Sequence, residues 1–200
     1  VARLFAAILC DCGVRAGNVF EETTAQEAKD AGADGFRGKV ANAIGGVLFI
    51  DEAYDLDPIG DSKGKPIVNE ILTLCENRRD EISVILAGYE DDFEKKFFNY
   101  NAGLRSRFKC VTFDDFDYDE LALIWTGMRS KKKWQEEEGV TRVVVKRLAK
   151  LAGKKGFGNA REVRMRLEKS TQEAMARLGE KFSQANMILS ISDVIGEDPR

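Results

Sequence analysis

The sequence predicts an α/β domain with a parallel sheet, followed by a smaller all-helical domain. Two runs, the continuous apolar residues 47–50 and the largely apolar residues 82–87, are typical of strands buried on both faces of a parallel sheet. After residue 114 the strand patterns give way to helical stretches near 117–133, 141–153 and 159–179. We therefore expect domains over residues 1–115 and 116–196, with 197–200 as a linker.

The other elements of the first domain follow from apolar periodicity and turn residues. Gly13 ends the opening amphipathic stretch, and Pro66 is well suited to the first turn of a helix. In chain order we expect a helix over 1–12, a strand over 19–24, a helix, a glycine-containing loop and a second helix over 25–44, a turn over 57–65, a helix from Pro66, a helix over 91–98 and a short strand over 111–113.

The composition excludes several classes of function. The chain has no histidine, so Cys/His zinc sites, Ser-His-Asp triads and histidine acid–base chemistry are excluded. A net charge of −3 gives no basic footprint for nucleic acid, so no nucleic-acid partner is expected. There is no run of about 18 apolar residues, so no membrane association is expected. The four cysteines fit reduced thiols in an intracellular protein.

The opening residues VARLFAAILCDCG bear on the chain's origin and location. They are apolar at helical spacing from Val1 and carry no N-cap, so we expect an incomplete module that begins inside a helix. We expect no signal peptide in this sequence. The expected location is intracellular, with the cytoplasm favoured; a targeting peptide for plastid or nucleus would lie outside these residues.

Asp51 and Glu52 directly follow the first buried strand. Ligands of parallel α/β sheets sit at the carboxyl ends of the strands. A carboxylate there can hold Mg²⁺, and a neighbouring carboxylate can polarise an attacking water in phosphoryl transfer. The alternative is a strand that simply ends in polar surface residues.

Three arginines form two further candidate features. Arg105 and Arg107 precede the expected strand over 111–113, where an arginine could reach a neighbour's γ-phosphate; the alternative is a pair of surface ion-pair partners. Arg161 lies in the first turn of a helix that opens with a glycine turn, GFGN. A cation does not suit that helix end, and a phosphate ligand would compensate for it.

These features occur in the order and spacing of AAA+ ATPases. GGVLFIDEAYDL resembles a Walker B motif, GLRSRF resembles the arginine-finger segment, and GFGNAREVR resembles the sensor-2 motif of the lid. The ordered set resembles the CbbX/CfxQ branch, which includes red-type Rubisco activases and stage V sporulation protein K, over nearly all of residues 1–196. The resemblance implies a P-loop NTPase-type parallel sheet flanked by helices, and a small all-α AAA+ lid.

The resemblance also implies roles for individual residues. Asp51 would coordinate Mg²⁺, mostly through water, and Glu52 would orient and activate the hydrolytic water. Arg107 is the first choice for an arginine finger acting on the adjacent subunit, with Arg105 as the second choice or a structural partner. Arg161 would reach ATP from the lid as sensor 2. The implied cofactors are ATP and Mg²⁺, and the implied assembly is a ring, a hexamer by family analogy.

The sequence departs from the family pattern in the first half of the chain. No GxxxxGK[ST] phosphate-binding loop occurs, which suggests truncation and an inactive fragment. Tyr89 stands at the sensor-1 position, where many AAA+ proteins have Asn or Thr. In the shortened pore-loop region AKDAGADGFRGK the only aromatic candidate is Phe36, which either acts in the pore or packs locally.

Two segments are similar to modules of large eukaryotic proteins with several tandem CfxQ-type domains. They are EETTAQEAKDAGADG and the C-terminal ISDVIGEDPR, which is similar to a segment leading into a next module. The leading hypothesis is ATP hydrolysis that drives remodelling of a protein client. The alternatives are an inactive structural or regulatory module that supplies an arginine finger in a ring, and a nucleic-acid translocase, against which the negative net charge argues. A Rubisco client follows only from family analogy.

Overall fold

The computed structural model describes residues 1–154 and 156–195 of the chain. The chain divides into two compact units, residues 1–112 and 113–200. Each unit has a hydrophobic core of its own, and the two cores share no residue. In the described parts of the chain, none of the helices has the length and apolar character that a membrane crossing requires.

The first unit is an α/β layer structure around a three-stranded sheet. Its helices and strands, in chain order, are α1 (Ala2–Asp11), β1 (Phe20–Thr24), α2 (Ala25–Asn42), β2 (Val47–Asp51), α3 (Gly64–Asn77), β3 (Ser83–Leu86), α4 (Glu90–Asp92) and α5 (Ala102–Arg107). The strand order is β1-β2-β3 and both pairings are parallel, which confirms the predicted parallel α/β class.

The register of the sheet aligns the carboxyl ends of its strands. Thr24 at the end of β1 pairs with Asp51 at the end of β2, and Ile50 pairs with Leu86 at the end of β3. Residues Val47, Leu48 and Ile50 of the central strand are fully buried, as the continuous apolar run predicts. Residues that follow β2 and β3 therefore emerge at one edge of the sheet.

Helix α2 begins at a capping box and bends at a glycine. The Thr24 hydroxyl accepts a hydrogen bond from the backbone of Glu27, and the Glu27 carboxylate accepts one from the backbone of Thr24. Gly32 has φ 66° and ψ −178°, a conformation that side chains disfavour, and it joins two helical stretches. The predicted glycine-containing loop is thus reduced to a kink.

The predicted strand over residues 111–113 is wrong. Residues 108–117 form neither helix nor strand, and the side chains of Val111 and Phe113 are 68% and 70% exposed. A short apolar segment becomes a strand only when its backbone pairs with a neighbouring strand. In the described parts of the chain, no strand pairs with residues 111–113. Arg105 and Arg107, which precede this segment, lie in the last turn of α5. Helix α5 begins at Asn101, whose side chain accepts a hydrogen bond from the Gly103 amide.

The predicted helix over residues 91–98 changes its winding along its length. It begins as α4, continues as a π-helical turn over Phe93–Phe97 and ends as a 3₁₀ turn over Phe98–Tyr100. The wider π turn accommodates three phenylalanines, Phe93, Phe97 and Phe98, whose ring centroids lie 5.5–5.7 Å apart.

The second unit is a helical bundle with one very short sheet. Its elements are α6 (Tyr118–Lys131), β4 (Gln135–Glu136), α7 (Val140–Ala149), α8 (Ala160–Leu178), β5 (Ile188–Leu189) and α9 (Ile191–Ile195). The three predicted helices are confirmed, whereas the parallel β4–β5 pair and α9 have no clear sequence signal. The predicted linker, residues 197–200, lies outside the described residues.

An ion pair between a buried carboxylate and a partly exposed guanidinium joins α8 to α9. Both Nε and Nη2 of Arg177 donate to the Asp193 carboxylate, at 2.9 and 2.8 Å, and the Ser190 amide donates to the same carboxylate at 2.8 Å. The Asp193 side chain is only 3% exposed. Burial alone would raise the pKa of Asp193, but the hydrogen bonds from Arg177 and Ser190 outweigh it, so the pKa lies below the ordinary value of 3.8.

Asp193 therefore makes the stability of the second unit sensitive to acid. Because its folded pKa is lowered, its contribution is complete above the unfolded pKa of 3.8 and is lost as the pH falls through the folded pKa. We expect Asp193→Asn to lower the free energy of unfolding at pH 7 by about 1.5–3 kcal/mol, the range for hydrogen bonds to charged groups. The same variant should flatten the decline in stability below pH 4.

Both tryptophans of the chain, Trp125 and Trp134, are buried in this unit, so tryptophan fluorescence during urea unfolding reports on it selectively. The control variant is Glu180→Gln, which removes a charge from an exposed residue of the same unit. An Asp193→Asn protein with the acid dependence of the wild type would contradict the assignment.

Candidate functional site at the carboxyl edge of the sheet

The structure brings Asp51, Glu52 and Tyr89 to the same edge of the sheet. Asp51 ends β2, Glu52 follows it, and Tyr89 lies just beyond β3. The backbone amide of Ala53 donates to the carbonyl of Ala87 at 3.0 Å, so the two connections stay together past the ends of the strands. This edge is where ligands of parallel α/β sheets bind.

Glu52 has a backbone conformation that is unusual for a residue with a side chain. Its φ of 51° and ψ of 36° place it in the left-handed region, which costs about 1–2 kcal/mol for such residues. The Glu52 amide donates to the Asp51 side chain at 3.0 Å, and the 3₁₀ turn Ala53–Leu56 that follows is anchored by the buried Ala53 and Leu56. The chain therefore turns sharply at Glu52. Backbone strain of this kind is frequent at functional sites.

The Glu52 carboxylate accepts a hydrogen bond from the hydroxyl of Tyr54. The Tyr54 ring meets the edge of Phe93 at a centroid distance of 6.2 Å and lies 6.1 Å from the ring of Tyr89. Tyr54 thus links the carboxylate after β2 to the aromatic residue after β3. Sequence reasoning missed Tyr54, although it lies two residues after Glu52 within the same motif.

Arg105 and Arg107 both lie on α5 and make contacts within the first unit. Arg107 donates to the Gly103 carbonyl at 2.6 Å and forms an ion pair with Glu76 of α3. Arg105 pairs with Glu94 at 3.2 Å, and its guanidinium lies 5.3 Å from the centroid of the Phe98 ring. Their side chains remain 49% exposed for Arg105 and 30% exposed for Arg107, so both have a solvent-facing part.

Arg161 belongs to the second unit, where it lies exposed in the first turn of α8. The turn before α8 is tied to the beginning of the unit, because Asp115 accepts from the Gly153 amide and the Asn159 side chain, both at 2.7 Å. Asn159 in turn accepts from the Phe116 amide at 2.8 Å. The hydrogen bonds to Asp115 hold its pKa below its usual range, and the bond from the Gly153 amide has the larger effect. These hydrogen bonds fix the segment that presents Arg161.

Phe36 packs locally. Its side chain is fully buried in the core of the first unit, on the helical stretch that follows the Gly32 kink. A residue that contacts a client in a central pore must be exposed, so the structure supports the packing alternative for Phe36. Its position in the shortened segment could not decide between the two alternatives, since a single aromatic residue among glycines fits both.

The donor set at this edge suits a magnesium ion shared with phosphates. Among the described residues, no cluster of three or more His, Cys, Asp or Glu side chains is arranged to hold a metal. Mg²⁺ is usually bound through one or two carboxylates together with water and substrate phosphates, and not by an all-protein cage. Asp51, half-buried at the strand end, fits such a role.

The class of protein follows from comparison with known families and structures. The family model of the AAA lid domain matches residues 117–199, which make up most of the second unit. A solved structure of a lysine-to-arginine mutant of RuvB from Thermotoga maritima is similar over 98% of this chain and 57% of that chain, with a TM-score of 0.68 and 15% identity. The fold is therefore that of AAA+ proteins: a parallel sheet flanked by helices, and a helical lid.

Curated relatives narrow the class to a family. The chain is 33% identical to the CfxQ homolog of Galdieria sulphuraria over 76% of this chain and 50% of that protein. It is 37% identical to the chromosomal CbxX protein of Cupriavidus necator over 68% and 44% of the two chains. It is 32% identical to the chloroplastic ribulose bisphosphate carboxylase/oxygenase activase of Cyanidioschyzon merolae over 74% and 52%. The chain belongs to the CbbX/CfxQ family of AAA+ proteins, and it spans about half the length of these relatives.

Proposed function

We propose that the protein hydrolyses ATP at the carboxyl edge of the sheet and uses the turnover to remodel a protein client. The observation that carries the proposal is the carboxylate pair Asp51–Glu52 at the end of the central strand of a AAA+ fold. Acidic groups in this place meet the needs of phosphoryl transfer, namely a metal ligand and a group that orients the attacking water.

Asp51 and Glu52 take different roles in the reaction. Asp51, as the Walker B aspartate, would hold Mg²⁺ mostly through water, and the ion would neutralise charge that develops on the phosphate oxygens. Glu52 accepts a proton from the attacking water as the new bond to the γ-phosphorus forms and the bond to the bridging oxygen breaks, which leaves ADP and phosphate. The backbone turn at Glu52 places its side chain beyond the end of β2.

Tyr89 and Arg161 take the two sensor roles that the family pattern implies for them. Tyr89, at the sensor-1 position beyond β3, lies next to the ring of Tyr54 and can hold water with its hydroxyl. Arg161, on the lid, acts as sensor 2 and contacts the nucleotide phosphates. A phosphate ligand also removes the unfavourable interaction between a cation and the amino end of α8.

An arginine of α5 serves the site of the neighbouring subunit in a ring, which we propose to be hexameric. We retain Arg107, which stands immediately before Phe108, as the finger, and Arg105 as the second choice or a structural partner. Both arginines also contact their own subunit, Arg107 through Glu76 and Arg105 through Glu94. Arginine suits this task because its planar guanidinium can contact two phosphate oxygens at once.

A second candidate is an inactive module that structures a ring and supplies the finger. One observation favours it: Phe36 is buried, not presented to a pore.

The client and the location of the protein stay predictions. One of the relatives is named as a Rubisco activase of a chloroplast, but no contact in the described structure identifies a client for the present protein. An intracellular location remains a prediction.

Glu52→Gln in the protein at its full natural length should abolish ATP turnover and preserve ATP binding. The amide keeps the size of the side chain but cannot accept the proton of the attacking water, and loss of a general base costs about 10²–10⁴-fold in rate. Steady-state phosphate release and fluorescent-nucleotide binding measure the two properties. Glu21→Gln, at an amino-proximal position of β1, is the matched control and should keep wild-type turnover.

Turnover by the wild type that survives in Glu52→Gln would contradict the role of Glu52. No turnover by an assembled wild-type ring would favour the inactive module.

Arg107→Ala should abolish turnover through the neighbouring subunit. An Arg107→Ala subunit keeps its carboxylates, and a Glu52→Gln subunit keeps its arginine. Mixing the two variants should therefore restore activity at interfaces where an intact Glu52 meets an intact Arg107. Neither variant alone should be active. The measurement is phosphate release as a function of the mixing ratio.

Two further variants separate the finger from the structural contacts of α5. Glu76→Gln removes the ion pair with Arg107 and keeps the arginine, so it should retain turnover. Arg105→Ala tests the second choice in the same mixing experiment. Rescue seen with Arg105→Ala and not with Arg107→Ala would move the finger to Arg105.

A further inference from the structure

The ring of Tyr54 is closely packed at the carboxyl edge of the sheet. A β-carbon placed on Gly88 would lie 2.5 Å from Cδ1 and 2.9 Å from Cε1 of Tyr54, so the ring lies directly against the Gly88 backbone. Any side chain at position 88 would displace the ring. Gly88 follows β3, which means that the neighbouring strand determines where the ring of Tyr54 sits.

The π-helical turn after β3 holds the ring from another direction. Phe93 meets it edge-on at an interplanar angle of 84°, and the Lys96 ammonium lies 5.3 Å from its centroid. Lys96 is itself 3.9 Å from the carboxylates of both Asp55 and Asp92. A cation over an aromatic face attracts the ring electrostatically. These contacts restrict the ring without involving its hydroxyl.

The hydroxyl at the end of this restricted ring donates to Oε2 of Glu52. The left-handed backbone at Glu52 and the 3₁₀ turn beginning at Ala53 allow side chains two residues apart to meet. The buried Ala53 holds the turn in place. A donor on one carboxylate oxygen restricts rotation about the last torsion of the glutamate, which is otherwise broad.

We propose that Tyr54 is a positioning residue that fixes the direction of the Glu52 carboxylate for activation of the attacking water. This inference rests on the proposed hydrolysis at Glu52. Tyr54 keeps its proton throughout, because it donates a hydrogen bond and transfers nothing; the proton of the water goes to Glu52. Catalytic groups gain most when neighbouring side chains already hold them in the reacting orientation.

Tyr54→Phe tests the proposal because it removes the hydroxyl and keeps the ring. In the protein at its full natural length we expect kcat for ATP to fall on the order of tenfold, since misorientation of a reacting group typically costs that or more. KM for ATP, nucleotide affinity and the melting temperature should stay near their wild-type values. A residue that served only packing would lower the melting temperature and leave kcat intact.

The matched control is Tyr100→Phe. The Tyr100 hydroxyl donates to the Asn69 side chain at 3.2 Å, in the same unit, so the variant makes the same chemical change at another hydrogen bond. It should keep the wild-type kcat. Gly88→Ala is a second test variant, because the added methyl group displaces the Tyr54 ring while the hydroxyl remains. It should lower kcat, as Tyr54→Phe does.

The double variant Glu52→Gln/Tyr54→Phe shows whether Tyr54 acts through Glu52. If it does, the residual rate that remains after the about 10²–10⁴-fold loss in Glu52→Gln is not lowered further in the double variant, because the two changes remove one function. Wild-type turnover that Glu52→Gln abolishes and Tyr54→Phe leaves unchanged would overturn the positioning role and leave hydrolysis at Glu52 standing. A wild type without turnover would overturn both proposals.

Discussion

The site depends on the parallel pairing of β2 with β3, which carries both strands to the same edge of the sheet. The hydrogen bond from the Ala53 amide to the Ala87 carbonyl continues this pairing beyond the strands. Without it, the turn that carries Glu52 and the segment that carries Gly88 and Tyr89 would be independent loops. The pairing makes them one surface, on which a residue after one strand can determine the position of a residue after the other.

Each of the two units stabilises an unusual backbone conformation, and the stabilising contacts differ. At the edge of the sheet, a strained backbone at Glu52 is held by packing and by the hydroxyl of Tyr54. Before α8, the unusual conformation of Asn159, with φ 47° and ψ −115°, is held by the hydrogen bonds of Asp115 and Phe116. In both places an unusual backbone conformation lies beside a candidate nucleotide contact, and neighbouring groups fix it.

The sequence predicts the parallel sheet, the helical second unit and the position of Asp51 and Glu52, because buried strands and amphipathic helices have periodicities that can be read directly. It fails at residues 111–113, where an apolar pattern has no strand to pair with. It also misses the Tyr54–Glu52 hydrogen bond, since the left-handed backbone at Glu52 leaves no compositional signal: that conformation usually indicates glycine or asparagine. The place of Phe36 in the core likewise depends on tertiary packing.

The most direct test of the central claim is a crystal structure of the full-length natural protein with Mg²⁺ and a non-hydrolysable ATP analogue. We expect the magnesium ion at the carboxyl end of β2, with a water between it and Asp51, and a second water held by the Glu52 carboxylate beside the γ-phosphate. A nucleotide whose phosphates and magnesium lie away from both carboxylates would contradict hydrolysis at this edge of the sheet.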